Sequence, residues 1–398
     1  MKIENLINYL FLYSISSIWV MIIANSILSV GGYLYLKKKH EVNKDKSFIS
    51  ILVPCHNEES VIFETVNSLL NLNYPNDKYE IIIINDKSTD RTKNILKSFG
   101  NKIKVVTNKY GGNGKSDALN IGLQHVSKDT DYISVFDADS RPFANSMQHL
   151  TNGAEEGVGA VVGKFKTRSK DSLLGKFINL EFICYQFMSQ GGRQKLFGIS
   201  TIPGTGYIVR KSILDKLNKF PNNLAEDTDL SFLIYSLEYK IKYIPQAIST
   251  QQSPSSLKIW KKQRVRWARG NLSVIAKHWR NTAVLFDVLY LIAIYLFFLS
   301  ALIISDTVFI LLMFTDLTLN ISGNFVLLWL AAYVIYVLQM AIALKAEGEM
   351  TTKNIMLAMI MYFSYSQLWI SVTLKAMLEN INDYVKGNEV RWYKTERF

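Results

Sequence analysis

Cysteine is almost missing from this chain: two residues in 398, Cys55 and Cys184. Two thiols are too few for a disulfide framework, and a cytoplasmic setting keeps them reduced. Histidine is scarce as well, at five, with no HExxH or paired Cys/His spacing, so the sequence carries no signature of a zinc site. Charge is thin. Only 20% of residues are charged against 49% hydrophobic, and mean hydropathy is +0.10. That balance excludes a disordered chain and leaves ample apolar material for a core. Acids are the minority, giving a net charge of +12. In a soluble protein such an excess points to nucleic acid; in a membrane protein it belongs to Lys and Arg on cytoplasmic segments. The position of the apolar residues decides between the two.

They lie in blocks. Asn5 to Leu36 has neither a charge nor a histidine and is followed at once by Lys37-Lys38-Lys39-His40. The run is long enough to cross a bilayer, and a basic cluster after it, not before it, argues for an uncleaved anchor whose C-terminal end is cytoplasmic. No comparable run follows until Val288–Ser305, Leu317–Leu344 and Asn354–Leu374. The expected organisation is a transmembrane helix over 1–36, a cytoplasmic domain over 37–254 and basic interfacial helices over 255–284. Transmembrane or re-entrant helices over 285–378 and a cytoplasmic tail over 379–398 complete it.

The first half of the water-soluble part alternates apolar runs with amphipathic stretches. Ser50–Val53, closed by Pro54, Ile81–Ile84, Val105-Val106 and Ile133–Phe136 read as strands. Glu59–Leu70, Arg91–Phe99 and Asp117–Val126 read as the helices between them. Strand and helix in alternation predict a parallel α/β sheet, which binds ligands beyond the carboxyl ends of its strands. Polar residues fall at three such ends: Pro54-Cys55-His56-Asn57-Glu58-Glu59, Asn85-Asp86 and Asp137-Ala138-Asp139. Each acid taken singly reads as a helix cap, and Asp139-Ser140-Arg141-Pro142 would make a good one, with proline in the first turn. Three together on one sheet edge are harder to reduce to caps, and two carboxylates two residues apart suit a hard divalent cation shared with substrate phosphates.

Gly111-Gly112-Asn113-Gly114-Lys115-Ser116 looks like a phosphate loop, yet Lys109 stands where a Walker A motif needs glycine. An ATPase is excluded on spacing, while the lysine can still hold a diphosphate. Leu224–Asp229 opens an amphipathic helix, and Asp227 alone reads as a first-turn acid. Ser255–Arg280 carries eight Lys or Arg and no acid, interleaved with Trp260, Trp267 and Trp279. Beside a membrane span this reads as an interfacial helix on an anionic leaflet.

Taken in order, Asp86, Asp137-Ala138-Asp139, Glu226-Asp227 and Gln263-Arg264-Val265-Arg266-Trp267 resemble the motifs of the processive family 2 glycosyltransferases. Among these, the bacterial poly-N-acetylglucosamine synthases are the most similar, and the hyaluronan and cellulose synthases share the set. The resemblance implies a GT-A-type, Rossmann-like nucleotide-sugar-binding domain in the cytoplasm, flanked by transmembrane helices. It implies that Pro54, His56, Asn57, Glu58 and Asp86 hold the uridine, that Lys115 approaches the diphosphate, and that Asp137 and Asp139 form the Asp-x-Asp pair. Asp139 would then ligate Mg²⁺ or Mn²⁺. Glu226 and Asp227 match the catalytic acids, with Asp227 the general base. Gln263, Arg266 and Trp267 match the motif at the acceptor and leaving diphosphate, and Gly204-Thr205-Gly206 the small-residue acceptor loop. Ala225 and Pro203 depart from the Thr and Ser the family often has there.

The activity so implied is inverting, processive transfer from a UDP-sugar, UDP-N-acetylglucosamine first, onto a growing β-linked polysaccharide across the cell membrane. The partners are the donor, the polymer, the bilayer and a small accessory membrane subunit, with no nucleic acid. The alternative enzyme is a non-processive transferase moving one sugar onto a membrane lipid, and a rival of another class is a silent membrane scaffold. A tail carrying Lys386, Arg391, Lys394 and Arg397 favours the cytoplasm, which makes the polar stretch Asn354–Leu374 the candidate for a re-entrant or interfacial run.

Overall fold

The computed structural model describes residues 3–37, 47–111, 114–168, 170–315 and 324–387. Lys38-Lys39-His40, Gly112-Asn113, the start of the Leu317–Leu344 run and tail residues from 388 onward lie outside them. Helix α1 (Ile3–Leu36) precedes a domain built on eight strands: β1 (Ile49–Cys55), β2 (Tyr79–Asp86), β3 (Lys104–Asn108), β4 (Tyr132–Val135), β5 (Arg141–Pro142), β6 (Val158–Thr167), β7 (Tyr207–Arg210) and β8 (Lys240–Gln251). They form one sheet in the order β3-β2-β1-β4-β7-β6-β8-β5.

The isoleucines of β2 show why the sheet is double-faced. Ile81 and Ile83 enter one apolar cluster with Ile49, Ile51 and Val53, while Ile82 and Ile84 enter another with Leu52. Side chains alternate along a strand, so an uninterrupted apolar strand needs both faces covered. Helices α2 (Ile62–Leu70), α3 (Thr92–Lys97), α4 (Lys115–Leu123) and α5 (Ser146–Asn152) follow the strands in turn. From β1 the sheet grows to β2 and β3 on one side and to β4 on the other, all parallel. That reversal of strand order makes the carboxyl ends of β1, β2 and β4 the ligand crevice.

Three expectations need correction. The sheet is mixed, not parallel throughout, because β7 runs antiparallel to β4 and β6, and β5 to β8. Asp139-Ser140-Arg141-Pro142 is not a helix cap: Arg141 and Pro142 pair with Thr250 and Ser249, and α5 begins only at Ser146. Strand β1 also runs through Pro54 to Cys55.

Beyond β6 come α6 (Leu173–Cys184), a π-helical turn (Tyr185–Gly192), α7 (Arg193–Phe197), α8 (Lys211–Leu217) and α9 (Glu226–Ser236). The long basic helix α10 (Leu257–His278) leads to α11 (Leu285–Ile292), α12 (Leu299–Phe314), α13 (Asn324–Ala346), α14 (Thr352–Phe363) and α15 (Tyr365–Lys386). Among the described residues, four helical stretches are long and apolar enough to cross a membrane: Asn5–Leu36, Thr282–Phe314, Leu327–Ala346 and Thr352–Lys386. These mark a membrane protein. The last stretch breaks at Ser364, and its first piece has 12 residues, about 18 Å at 1.5 Å per residue against a hydrocarbon core of about 30 Å. The expected tail from 379 is helical as far as Lys386.

Charged contacts, one of them a buried ion pair, tie the C-terminal helices to the rest of the fold. Lys164 of β6 meets Glu347 in the turn between α13 and α14, and Glu349 of that turn accepts from Lys170 (2.6 Å) and Asn179 (2.7 Å). Arg269 of α10 reaches Glu379, Asn380 and Asp383 of α15.

Candidate active site

At the end of β1 the backbone of Asn57 turns left-handed (φ +52°), a conformation asparagine tolerates. Its Oδ1 accepts the Thr89 N–H at 2.7 Å, and His56 Nδ1 lies 2.5 Å from the Asp86 carbonyl oxygen. Glu58 is buried, with its N–H donating to Thr92 Oγ1 at 2.8 Å. Pro54, in register with Ile84, completes this lip. Asp86, at the end of β2, is buried and accepts from Asn108 Nδ2 at 2.8 Å. Gly111 presses on the same carboxylate: a Cβ there would stand 1.8 Å from Asp86 Oδ1. The sequence therefore brings its first two strand ends into one polar pocket.

Beside it the charges concentrate. Lys115, the first residue of α4, turns its ammonium inward to Asp137 Oδ1 (2.7 Å), Glu226 Oε1 (3.3 Å) and the Gly204 carbonyl oxygen (2.5 Å). Burial opposes its charge, but Asp137 and then Glu226 overcome that and hold the ammonium above the usual lysine range. Thr205 is buried, and its Oγ1 accepts the Asp137 N–H at 3.0 Å and lies 2.7 Å from Ser140 Oγ. Gly204 has φ +80°, and a Cβ on it would stand 3.0 Å from Asp227 Oδ2, so the loop 204–206 needs glycine to pass this close to the acid. Gly206, also left-handed, lets the chain enter β7.

Asp227 occupies the first turn of α9, its Oδ1 accepting the Thr228 N–H at 2.8 Å. Desolvation, then the adjacent negative charge of Glu226, push its carboxyl up to about 7, against the pull of Lys115, the Thr228 amide and Arg266. A carboxylate poised near neutrality is suited to take a proton from a hydroxyl.

Asp139 is buried; its Oδ2 accepts the Gln252 N–H at 3.3 Å, and its carbonyl accepts from Arg168 at 2.8 Å. No cluster of three His, Cys, Asp or Glu able to hold a metal ion alone occurs among the described residues. Asp137 and Asp139 offer hard oxygens at one strand end, a donor set that fits a divalent cation completed by phosphate oxygens and water.

Helix α10 brings the remaining residues. Arg266 lies close enough to Asp227 to draw that carboxyl down, and its buried Nε has no hydrogen-bond partner among the described residues. Gln263 Oε1 accepts from Arg264 at 3.0 Å, and the Arg264 guanidinium stands 4.1 Å from the centre of the Trp267 ring.

Residues 50–217 match the profile described as Glycosyl transferase family 2, a span that includes Asp86, Lys115, Asp137, Asp139 and Gly204 but ends before Glu226. Over 98% of this chain and 98% of the relative, the sequence is 39% identical to the probable glycosyltransferase YdaM of Bacillus subtilis. The chain belongs to glycosyltransferase family 2. This glycosyltransferase is also 31% identical to the poly-beta-1,6-N-acetyl-D-glucosamine synthase of Staphylococcus epidermidis, over 63% of this chain and 60% of the synthase. Its fold is that of the mannosyltransferase PcManGT from Pyrobaculum calidifontis, solved in complex with GDP-Man and Mn²⁺. The likeness covers 94% of this chain and 99% of that one, with TM-score 0.67 and 18% identity. The GT-A-like α/β fold and the class of enzyme are those the motifs implied.

Several residues escaped the sequence reading. Asn108, held against Asp86, is one asparagine among many in a polar chain. Arg264 lies inside the Gln263–Trp267 motif but reads as a spacer in a run of eight basic residues; only packing shows that it is fully buried.

Proposed function

We propose that this glycosyltransferase is an inverting, processive enzyme that polymerises sugar from a UDP-sugar, UDP-N-acetylglucosamine first, into a β-linked polysaccharide. The observation that carries the reading is the placement of Asp227, a carboxyl near pKa 7, beside Gly204, whose carbonyl accepts from the Lys115 that pairs with Asp137. Pro54 to Glu58 and Asp86 hold the uridine in the crevice at the strand-order reversal. Lys115 and Arg266 face the diphosphate, and the unpartnered Nε of Arg266 is a donor awaiting an anion. Asp139, with Asp137 beside it, would hold Mg²⁺ or Mn²⁺, which when bound would supply positive charge to the diphosphate; the similar mannosyltransferase was solved with Mn²⁺.

Asp227 takes the proton of the acceptor hydroxyl, whose oxygen forms a bond to the anomeric carbon from the face opposite the diphosphate. The bond from that carbon to the diphosphate oxygen breaks, and UDP leaves with both electrons. This geometry inverts the anomeric centre, as in inverting glycoside hydrolysis. Glu226 keeps Lys115 in place and raises the basicity of Asp227.

Processivity rests on α10. The helix carries Arg266 toward the base, Gln263 and Trp267 one turn apart from each other beside it, and Arg269 onto α15. An acceptor seated on Trp267 therefore lies between the reacting centre and the membrane helices. The partial match to a poly-beta-1,6-N-acetyl-D-glucosamine synthase supports the same reading. The Tyr35 hydroxyl, at the C-terminal end of α1, donates to the Tyr243 carbonyl at 2.5 Å and ties that end to the domain, and the Lys37-Lys38-Lys39-His40 cluster in the sequence just after it supports a cytoplasmic side for both. Purified protein supplied with a panel of UDP-sugars tests the reading: UDP release with UDP-N-acetylglucosamine and a long product cut by linkage-specific glycosidases is expected. A product carrying one sugar on lipid, resolved on a gel, overturns processivity.

A further inference from the structure

We infer that Arg264 is a positioning residue: it fixes Trp267 and Gln263 at the acceptor end and joins them, through Glu181 and Tyr365, to the break in the C-terminal helices. This rests on the acceptor reading of Trp267 and goes beyond it.

Arg264 is fully buried in α10. A buried charge is expensive to desolvate, and an apolar side chain of similar size is often as stable or more so, so helix packing alone is a poor reason for arginine here. Attachment of α10 to α15 is also provided elsewhere, by Arg269. What Arg264 adds is direction. One terminal nitrogen donates to Glu181 Oε2 at 2.6 Å, the other to Gln263 Oε1 at 3.0 Å, and the guanidinium lies 4.1 Å from the centre of the Trp267 ring. A planar fork can bond at its edge and contact a ring at once; a lysine cannot do both.

Glu181 extends the chain. Its Oε2 also accepts the Tyr365 O–H at 2.7 Å, and the Tyr365 oxygen accepts from Trp260 Nε1 at 2.7 Å. Tyr365 is the first residue of α15, immediately after the break at Ser364. A displacement of the start of α15 thus reaches Glu181 directly and Trp267 through one guanidinium. The helices through which a membrane-side product would pass set how the acceptor sugar is held.

The test uses full-length protein in detergent, with a defined N-acetylglucosamine oligosaccharide as acceptor. Acceptor KM is measured at saturating donor, donor KM at saturating acceptor, and UDP affinity separately. Arg264→Lys keeps the charge and loses the fork; its acceptor KM is expected to rise roughly tenfold to a hundredfold, the scale of a misplaced binding group, with donor KM and UDP affinity unchanged. Tyr365→Phe should move the same constant in the same direction by less. Should Arg264→Lys fail to fold, the paired variant Arg264→Met with Glu181→Leu leaves no unpaired charge and is expected to fold with the same acceptor defect. Wild-type acceptor KM in the paired variant, or donor and acceptor constants worsening in parallel, overturns the inference. Trp267→Ala is the control: if it leaves acceptor KM unchanged, the acceptor reading itself falls, and the inference with it.

Discussion

Lys115 and Asp227 meet at a single glycine, Gly204. The Lys115 ammonium donates to the Gly204 carbonyl at 2.5 Å, and a Cβ on Gly204 would stand 3.0 Å from Asp227 Oδ2 and 3.9 Å from Lys115 Nζ. The cation and the acid thus flank one glycine, and Lys115 draws the Asp227 carboxyl down against desolvation and Glu226.

The first consequence is a pH profile. As the proposed base Asp227 would work ionised, and its carboxyl is pushed up to about 7. Acceptor kcat/KM is expected to rise as pH increases through about 7 and to level above it, since that ratio reports the free enzyme. A rate flat from pH 5 to pH 8 contradicts a base so placed.

Replacing the lysine moves that profile. Lys115 pulls the Asp227 pKa down, so Lys115→Met should shift the acid limb to higher pH. The same variant leaves Asp137 and Glu226 without their shared ammonium and should raise donor KM. An acid limb displaced to lower pH would contradict the sign derived from the geometry.

Thr205 holds the Asp137–Asp139 loop by one hydroxyl. Thr205→Val keeps the shape and strands the Asp137 N–H, at an expected cost of about 1–3 kcal/mol in thermal or denaturant unfolding. Thr205→Ser should retain most of the stability. Equal stability of the valine variant and the wild type would show that the hydroxyl does not anchor the loop.

Chelation should abolish UDP release, with Mg²⁺ or Mn²⁺ restoring it. Asp139→Asn should need more cation for half-maximal rate, because one anionic oxygen ligand is lost while Asp137 remains. A titration identical to wild type would remove Asp139 from the metal site.

Much of this site was legible because its motifs are local. Asp137-Ala138-Asp139, Glu226-Asp227 and the residues from Gln263 to Trp267 carry their chemistry within a few positions, and the strands before the first pair show as apolar runs. What escaped depends on distance along the chain. The antiparallel insertion of β7 between β4 and β6 joins strands whose order no local pattern records. Arg141-Pro142 has the composition of a helix start, yet pairs with β8 more than a hundred residues later. Arg264 looks like its basic neighbours, and burial against Glu181, Trp267 and Tyr365 is created only when three separate helices meet. The salt bridge from Lys164 to Glu347 is hidden for the same reason.

The most direct measurement is made on Asp227→Asn, purified in detergent and shown to be folded. Removal of a general base is expected to lower transfer from the UDP-sugar by about 10²- to 10⁴-fold while UDP affinity stays at the wild-type value. Turnover undiminished in this variant would contradict the assignment of Asp227 as the base and, with it, the account of the site.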